Sequence, residues 1–486
     1  MRISAFALLL SVFYGAANSA ASPGEDAARV IATAELQRKA DPALLALLDA
    51  EPQIAARAAL ALGRTKQPEA RAALRSKLSA SDTTVRAFAA FAEGLLTDSA
   101  VLPVEARLAR NDASPAVRYA ALDAIDRIVG ADPAQGTAAL AKLVFDVAGH
   151  DADATVRGHA ALAGVAFRAL PGATQRAGVL AAAYAAEADA DVRWHEMWAL
   201  YRGYAFVAPS ATLRAGLHDP SDLVRVEAVR ALGKRGGSEA RALLEPMLGD
   251  PSWRVQEQAH EALLAVEKKP FTEHLAALPA GLHLPPADPP DDEPALPRPV
   301  TAEAVPAKPS APGPSDLLPA PPLSASIATT LNGPMPGLHP RVRLRTTKGD
   351  LVVRLFPEWA PYTVANFLRL AARGYYDGNR WFRIVPDFVV QSGDPNDNGE
   401  GDAGFTLPAE ENPVEQRAGI ISMGLNYEKN RPVRDSAGAQ FYLTISPQPH
   451  LDRDFTVFGE LESGTGTIAR LIESDRIVRV DRLADK

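Results

Sequence analysis

One recurring pattern constrains this chain more than any other feature. An Asp-bearing turn is followed by Val-Arg and then by a helical Ala/Leu stretch. The pattern stands at Asp82…Val85-Arg86, Asp112…Val117-Arg118, Asp153…Val156-Arg157, Asp191-Val192-Arg193 and Asp219…Val224-Arg225. Asp250…Val255-Gln256 is a variant of it, and a weaker copy lies near Ile54 and Arg57. The Val-to-Val spacings are 32, 39, 36, 32 and 31 residues. A unit of that length cannot bury its own apolar side, so the copies must stack into an α-solenoid, here over residues 26–269.

In the copy at 219–233, Asp219 and Ser221 are expected to cap a helix start. Pro220 sits early, where its missing N–H costs nothing, and Gly233 is expected to end the helix. Leu223, Val224, Ala228 and Leu232 share one helical face, with Arg225 and Glu227 off it. The repeated arginine is expected to pair with an Asp of the neighbouring turn; a ligand-binding arginine row is the alternative. Trp194, His195, Trp198, Tyr201 and Tyr204 read as the core of an irregular repeat, against a peptide-docking patch. On these residues the array resembles short HEAT repeats of the kind found in bilin-lyase-like proteins. The resemblance implies helix pairs stacked into a right-handed arc with a concave binding face, and so a protein partner on the solenoid.

Residues 1–21 have the pattern of a secretory leader: Arg2, an apolar run over 3–14, and Ser19-Ala20-Ala21 at the cleavage site. That run is too short to span a bilayer, and no other segment approaches the length needed. Export, with the periplasm of a bacterium as the best fit, is the expectation. With no cysteine, disulfides and a lipoprotein anchor are both excluded. A net charge of −8 without a basic tail argues against a nucleic-acid partner. Residues 270–340 hold 19 of the 40 prolines, a density that removes backbone donors and fixes φ. An extended, semi-rigid linker is expected there.

After Pro340 the texture changes to alternation. Val342, Leu344 and Thr346 alternate with Arg341, Arg343 and Arg345, and Gly349-Asp350 turns into a second strand. A helix led by Pro361 and capped by Thr363 follows, then short strands near 419–423, 440–445 and 456–460, and a closing helix near 466–474. Short strands with two helices predict a closed antiparallel β-barrel over 341–486. Within it, the stretch 381–394 sets Arg383 among apolar and aromatic residues, with Gln391 eight positions on. Arginine is almost never buried without a partner, so this strand is built for more than packing.

The stretch 381–394 resembles the active-site strand of the cyclophilin-type peptidyl-prolyl isomerases. Lys348-Gly349-Asp350, Ala360-Pro361…Asn366-Phe367, Gly374-Tyr375-Tyr376-Asp377-Gly378, Gly438-Ala439-Gln440-Phe441-Tyr442 and His450-Leu451-Asp452…Phe455 follow the family pattern in order. The resemblance implies rotation about the bond preceding proline, with Arg383 as the catalytic donor to the proline nitrogen and Gln391 orienting it. It implies a proline pocket from Phe388, Val389, Tyr442 and Leu451, with Gly424, Ala439, Gln440, His450 and Phe455 along the groove. Proline-containing polypeptides are then the substrates, and no metal, nucleophile or cofactor is called for. Val389, Tyr442, Phe455, Leu425 and Ser392 depart from the family's usual residues, and His450 stands where animal members carry Trp. An insert at 428–435 lengthens the connection before Gln440. The expected function is an exported isomerase with a protein-docking arm; a catalytically weak adaptor working through its repeats is the alternative.

Overall fold

The computed structural model describes residues 23–269, 281–297 and 339–484. The leader expected at 1–21 and most of the linker expected at 270–340 lie outside the described residues. Helices fill the first part, from Pro23–Gln37 to Trp253–Val266. One row of them comprises Pro52–Thr65, Thr83–Leu96, Pro115–Ala131, Ala154–Ala163, Ala190–Ala199, Asp222–Arg235 and Trp253–Val266. Successive members pack on one another, as a solenoid requires. Among the described residues no helix is long and apolar enough to cross a membrane.

The repeated arginine ties each repeat to the next. Arg86 pairs with Asp112 (3.0 Å), Arg118 with Asp151 (2.7 Å), Arg157 with Glu187 (2.8 Å), Arg193 with Asp219 (2.8 Å) and Arg225 with Asp250 (2.9 Å). The guanidinium also reaches back to its own turn, as in Arg118 Nη1 to Asp112 O (2.9 Å) and Arg225 Nη1 to Asp219 O (2.9 Å). Each fork thus bridges two turns, and the row holds the stack rather than a ligand.

Two local expectations are corrected. Ser221, not Asp219, occupies the N-cap of Asp222–Arg235, and Asp219 accepts from Ser221 N while facing Arg193. Gly233 lies inside that helix, which ends at Gly236. A Cβ at Gly233 would stand 2.7 Å from Ala262 Cβ, and one at Gly94 only 2.8 Å from Ala124 Cα. These glycines mark where neighbouring inner helices approach closely. Replacing Gly94 by valine is expected to cost about 1–3 kcal/mol by overpacking, read as a lower urea midpoint.

The inner row is buried on two sides. Glu227, expected to lie off the apolar face, is buried and paired with Arg230 (2.9 Å), which in turn binds Asp387 of the second domain (2.8 Å). Trp194, His195, Trp198 and Tyr204 are buried and Tyr201 half-buried, so the aromatic cluster is core. Burial pushes the Glu196 carboxyl up to about 8. Below pH 4.5 both folded and unfolded chains hold that proton; from there to about 8 only the folded chain does, so this contribution to stability falls as pH rises. Glu196→Gln removes the dependence. Its stability gain over wild type should be larger at pH 9 than at pH 5, measured by urea midpoints.

In the second domain an eight-stranded antiparallel sheet runs in the order β10-β1-β2-β9-β5-β8-β4-β3. Its strands are β1 (Arg341–Thr346), β2 (Gly349–Leu355), β3 (Arg383–Val385), β4 (Val389–Ser392), β5 (Ile420–Met423), β8 (Phe441–Thr444), β9 (Val457–Ser463) and β10 (Ile477–Arg482). β6 (Tyr427–Glu428) and β7 (Arg431–Pro432) form a separate hairpin from the charged insert. The edges β3 and β10 form no ladder with each other. The chain just before them meets at the isolated bridge Arg380–Arg476 and at bonds such as Trp381 N to Asp475 O (3.1 Å), so the sheet is a curled half-barrel rather than a fully closed barrel. Phe367, on the helix Pro361–Ala372, packs its ring against Tyr376, Phe441 and Phe458 in the core. Thr363 does not cap that helix. Its first N–H groups, from Tyr362 and Thr363, donate to the buried Glu410 carboxylate at 3.0 and 2.9 Å. The closing helix is a single turn, Thr465–Ile468; the chain then turns, with Asp475 accepting from Ile472 N (2.9 Å).

Val342 and Leu344 face the core, yet Arg341 and Arg343 opposite them are buried too. The described part of the Pro-rich stretch covers them. Glu293 receives Arg341 (2.6 Å), Asp291 receives Arg343 (3.0 Å), and Leu296 N donates to Arg482 O (2.7 Å). Residues 281–297 are extended, as their prolines dictate, but they form a strap on the barrel.

The solenoid grips the barrel at three places. Arg64, 1 % exposed, donates to Trp359 O (2.7 Å) and Glu411 O (2.8 Å) and pairs with Glu35 (2.9 Å). Arg453, 2 % exposed, pairs with Asp123 (2.7 Å) and donates to Tyr119 Oη (2.7 Å), which donates in turn to Glu415 (2.6 Å). Asp387, wholly buried, pairs with Arg230 (2.8 Å) and Arg254 (3.2 Å). Phe88 stacks on Trp359 with ring centres 6.0 Å apart. Buried charges persist only when paired. Arg453 and Asp387 find their ionic partners across the interface, while Arg64 pairs with Glu35 of its own domain and reaches the barrel through carbonyls.

Candidate functional site

Strand register builds the site. Arg383 stands opposite Gln391, Gln391 opposite Tyr442, and Tyr442 opposite Ser422, across β3, β4, β8 and β5. Paired residues share a face, so these four project from the same side of the sheet. The adjoining rung, Ile384, Val390, Leu443 and Ile421, is almost wholly buried on the other side. Period-two alternation thus separates groove from core, and it explains an arginine in an otherwise apolar strand.

Val389, Tyr442, Leu451 and Phe455 form one apolar cluster, with Phe388 and Leu425 packed against it. Phe455 meets Tyr442 edge-on, ring centres 5.7 Å apart. The His450 ring stacks on Phe388 at 5.6 Å. Although His450 keeps an exposed edge, the protein packed about it and then the Arg202 and Arg230 guanidiniums push its imidazole down to about 3. It is a neutral stacking plane. The Arg383 guanidinium lies 5.6 Å from the Phe388 ring centre, at the edge of the same cavity.

The amides are held in series. Gln391 Nε2 donates to Gln440 Oε1 (3.1 Å), and Gln440 Nε2 donates to Gly399 O (3.0 Å) and Gly401 O (2.8 Å). The loop carrying those carbonyls is organised by buried Asp394, which accepts from Asn396 N (2.7 Å) and Asn398 N (3.0 Å). Any side chain at Gly401 would collide with Asp394. Gly424 donates its N–H to Gln440 O (2.8 Å), and a Cβ there would stand 3.3 Å from Gln391 Nε2. Ser392, a departure from the family pattern, is buried and donates to Arg380 O (2.8 Å).

Of the expected site residues, Arg383, Phe388, Val389, Gln391, Gly424, Gln440, Tyr442, His450, Leu451 and Phe455 come together. Ala439 does not line the pocket: it alternates with Gln440 and packs with Phe441 in the barrel core. Sequence reasoning missed Tyr427, whose ring sits 6.5 Å from Phe455 and is 58 % exposed above the groove. An aromatic at the mouth of the charged insert was the available signal. It also missed Asp387. This residue holds φ +49°, and its carbonyl accepts from Gln448 Nε2 (3.1 Å) and from Ser446 Oγ. Nothing local marks it, because its ionic partners lie more than 130 residues away on the solenoid.

Residues 341–484 match the family described as cyclophilin type peptidyl-prolyl cis-trans isomerase/CLD, and residues 40–126 and 210–284 match HEAT repeats. A peptidyl-prolyl cis-trans isomerase of Synechococcus elongatus is 37% identical over 144 residues, which is 29% of this chain and 95% of that protein. Peptidyl-prolyl cis-trans isomerase B of Bacillus subtilis is 44% identical over 112 residues, 23% of this chain and 74% of that one. A solved cyclophilin-type isomerase of Cryptosporidium parvum is 28% identical, covering 30% of this chain and 99% of its own, with a TM-score of 0.28. The chain therefore belongs to the cyclophilin-type peptidyl-prolyl cis-trans isomerases and carries its isomerase domain behind an array of HEAT repeats.

Proposed function

We propose that the domain rotates X–Pro bonds by aiming the Arg383 guanidinium at the proline nitrogen. Rotation is opposed by about 18–20 kcal/mol because the nitrogen lone pair is shared with the carbonyl. In the twisted state that pair returns to nitrogen, which becomes an acceptor. A fixed donor there favours the twisted state over either planar isomer. The proline ring sits against Val389, Tyr442, Leu451 and Phe455. The second N–H of Gln391 meets the carbonyl of the bond being turned.

The observation that carries this reading is the single rung Arg383–Gln391–Tyr442, which sets donor and apolar pocket side by side on one face. A protease-coupled isomerisation assay on a short proline peptide, comparing wild type with Arg383→Ala, tests it; equal rates would sink it. We further propose export on the leader pattern at 1–21 and folding of exported proteins as the task. N-terminal sequencing of the protein from its host should find the leader removed. A partner on the array would dock on its outer helices, since the inner row holds the barrel.

A further inference from the structure

The groove continues beyond the rim of the barrel. Beside His450, a cavity of about 280 Å³ lies between the solenoid and the 449–453 turn. Arg168, Arg202, Trp198 and His159 contribute to its solenoid wall. His159 is 4 % exposed and stacks on Tyr119 (3.9 Å). Its Nε2 lies 3.6 Å from Asp123 Oδ1, and neither ring nitrogen makes a hydrogen bond among the described residues. Buried polar groups are nearly always satisfied, so an unsatisfied ring on a cavity wall points to something that enters it.

The charge of the cavity is positive. Arg453 holds both Asp123 and Asp452, at 2.7 Å each. Burial, followed by the neighbouring Asp123, pushes Asp126 up to about 7. Arg202 lies over the Trp198 ring at 5.7 Å, and Arg168 donates to Val165 O (3.2 Å). Neither has a carboxylate within ion-pair distance among the described residues. Asp123 and Asp452 are therefore spent on the interface and Asp126 is only partly ionised near neutral pH, while Arg168 and Arg202 line the space next to the proline pocket.

We infer that this cavity is a substrate subsite supplied by the HEAT array, which takes an acidic stretch of polypeptide flanking the isomerised proline. The inference rests on the isomerase reading of the groove. It makes Arg168 and Arg202 specificity residues for the known reaction, acting through KM. It also gives the array a part in substrate choice that a separate arm would not have.

The test uses the full-length protein and peptides with one common X–Pro core, either bare or extended on both sides by Glu, Ala or Lys. Isomerisation is followed by two-dimensional NMR exchange, which needs no coupling protease. The readout is the ratio of kcat/KM for the Glu-flanked and Ala-flanked peptides within each protein, so a general loss of activity cancels. At low salt the ratio in wild type should be about fivefold, in the range of partly exposed ion pairs, and should fall towards one at high salt. It should also approach one in Arg168→Ala/Arg202→Ala and in the milder Arg202→Gln. Equal rates for Glu, Ala and Lys flanks, or an undiminished ratio in the double variant, would overturn the subsite. No turnover of the bare core peptide would instead overturn the isomerase reading beneath it.

Discussion

Arg383→Ala should lower kcat/KM for X–Pro isomerisation by about 10²–10³, the range seen when a preorganised donor to a developing charge is removed. The loss should fall on kcat with little change in KM, because the proline nitrogen accepts a hydrogen bond only in the twisted state. Arg383→Lys should recover little. Lysine offers a mobile point charge, whereas the planar guanidinium is held against Phe388 (5.6 Å) at one end of a strand rung. Folding should be nearly intact, since Arg383 is only half-buried and Ile384 beside it carries the packing. The matched checks are isomerisation kinetics and urea midpoints for the three proteins. A KM effect with unchanged kcat would reassign Arg383 to substrate binding.

Asp387→Ala should destabilise the folded chain by about 3–5 kcal/mol, the usual cost of stripping one partner from a buried ion pair. The carboxylate is wholly buried between Arg230 and Arg254, so its loss strands positive charge in the interface. Alanine also fits poorly at φ +49°, adding roughly 1–2 kcal/mol. Asp387→Asn, which keeps the shape and most hydrogen bonds, should lose less. Asp387→Ala combined with Arg230→Met should lose less than the sum of the two, because one of the two stranded charges is then gone. Urea unfolding of the full-length chain measures all four, and a midpoint for Asp387→Ala equal to wild type would refute the clamp. Activity should fall as well. Asp387 precedes Phe388 in the turn joining β3 to β4, and Phe388 O is held by Ile445 N (2.8 Å). Loosening the turn moves the pocket wall against Arg383.

Much of this was legible along the chain because the forces involved are local or periodic. Val-Arg at intervals of 32–39 residues announced the stacked helices, and the pairing of each arginine with the next acidic turn followed from the same repeat. The family resemblance named Arg383 and Gln391 as site residues, and the pairing of β3 with β4 sets them opposite each other. Where the reading slipped, a distant group had taken over a local role. Glu410 supplies the helix cap expected of Thr363, Ala262 explains Gly233, and alternation turned Ala439 into the core.

The sequence by itself determined the repeat class and a mainly β second domain, because propensity, periodicity and spacing act over a few residues at a time; the groove residues were expected from the family resemblance. Only the tertiary structure decided that the two domains are one machine. Arg64 reaching Trp359, Arg453 reaching Asp123, and Arg230 with Arg254 enclosing Asp387 join positions from about 130 to 330 residues apart. No local pattern records such a contact, because its two halves lie on different domains and Arg453 and Asp387 find their ionic partners only when the two meet.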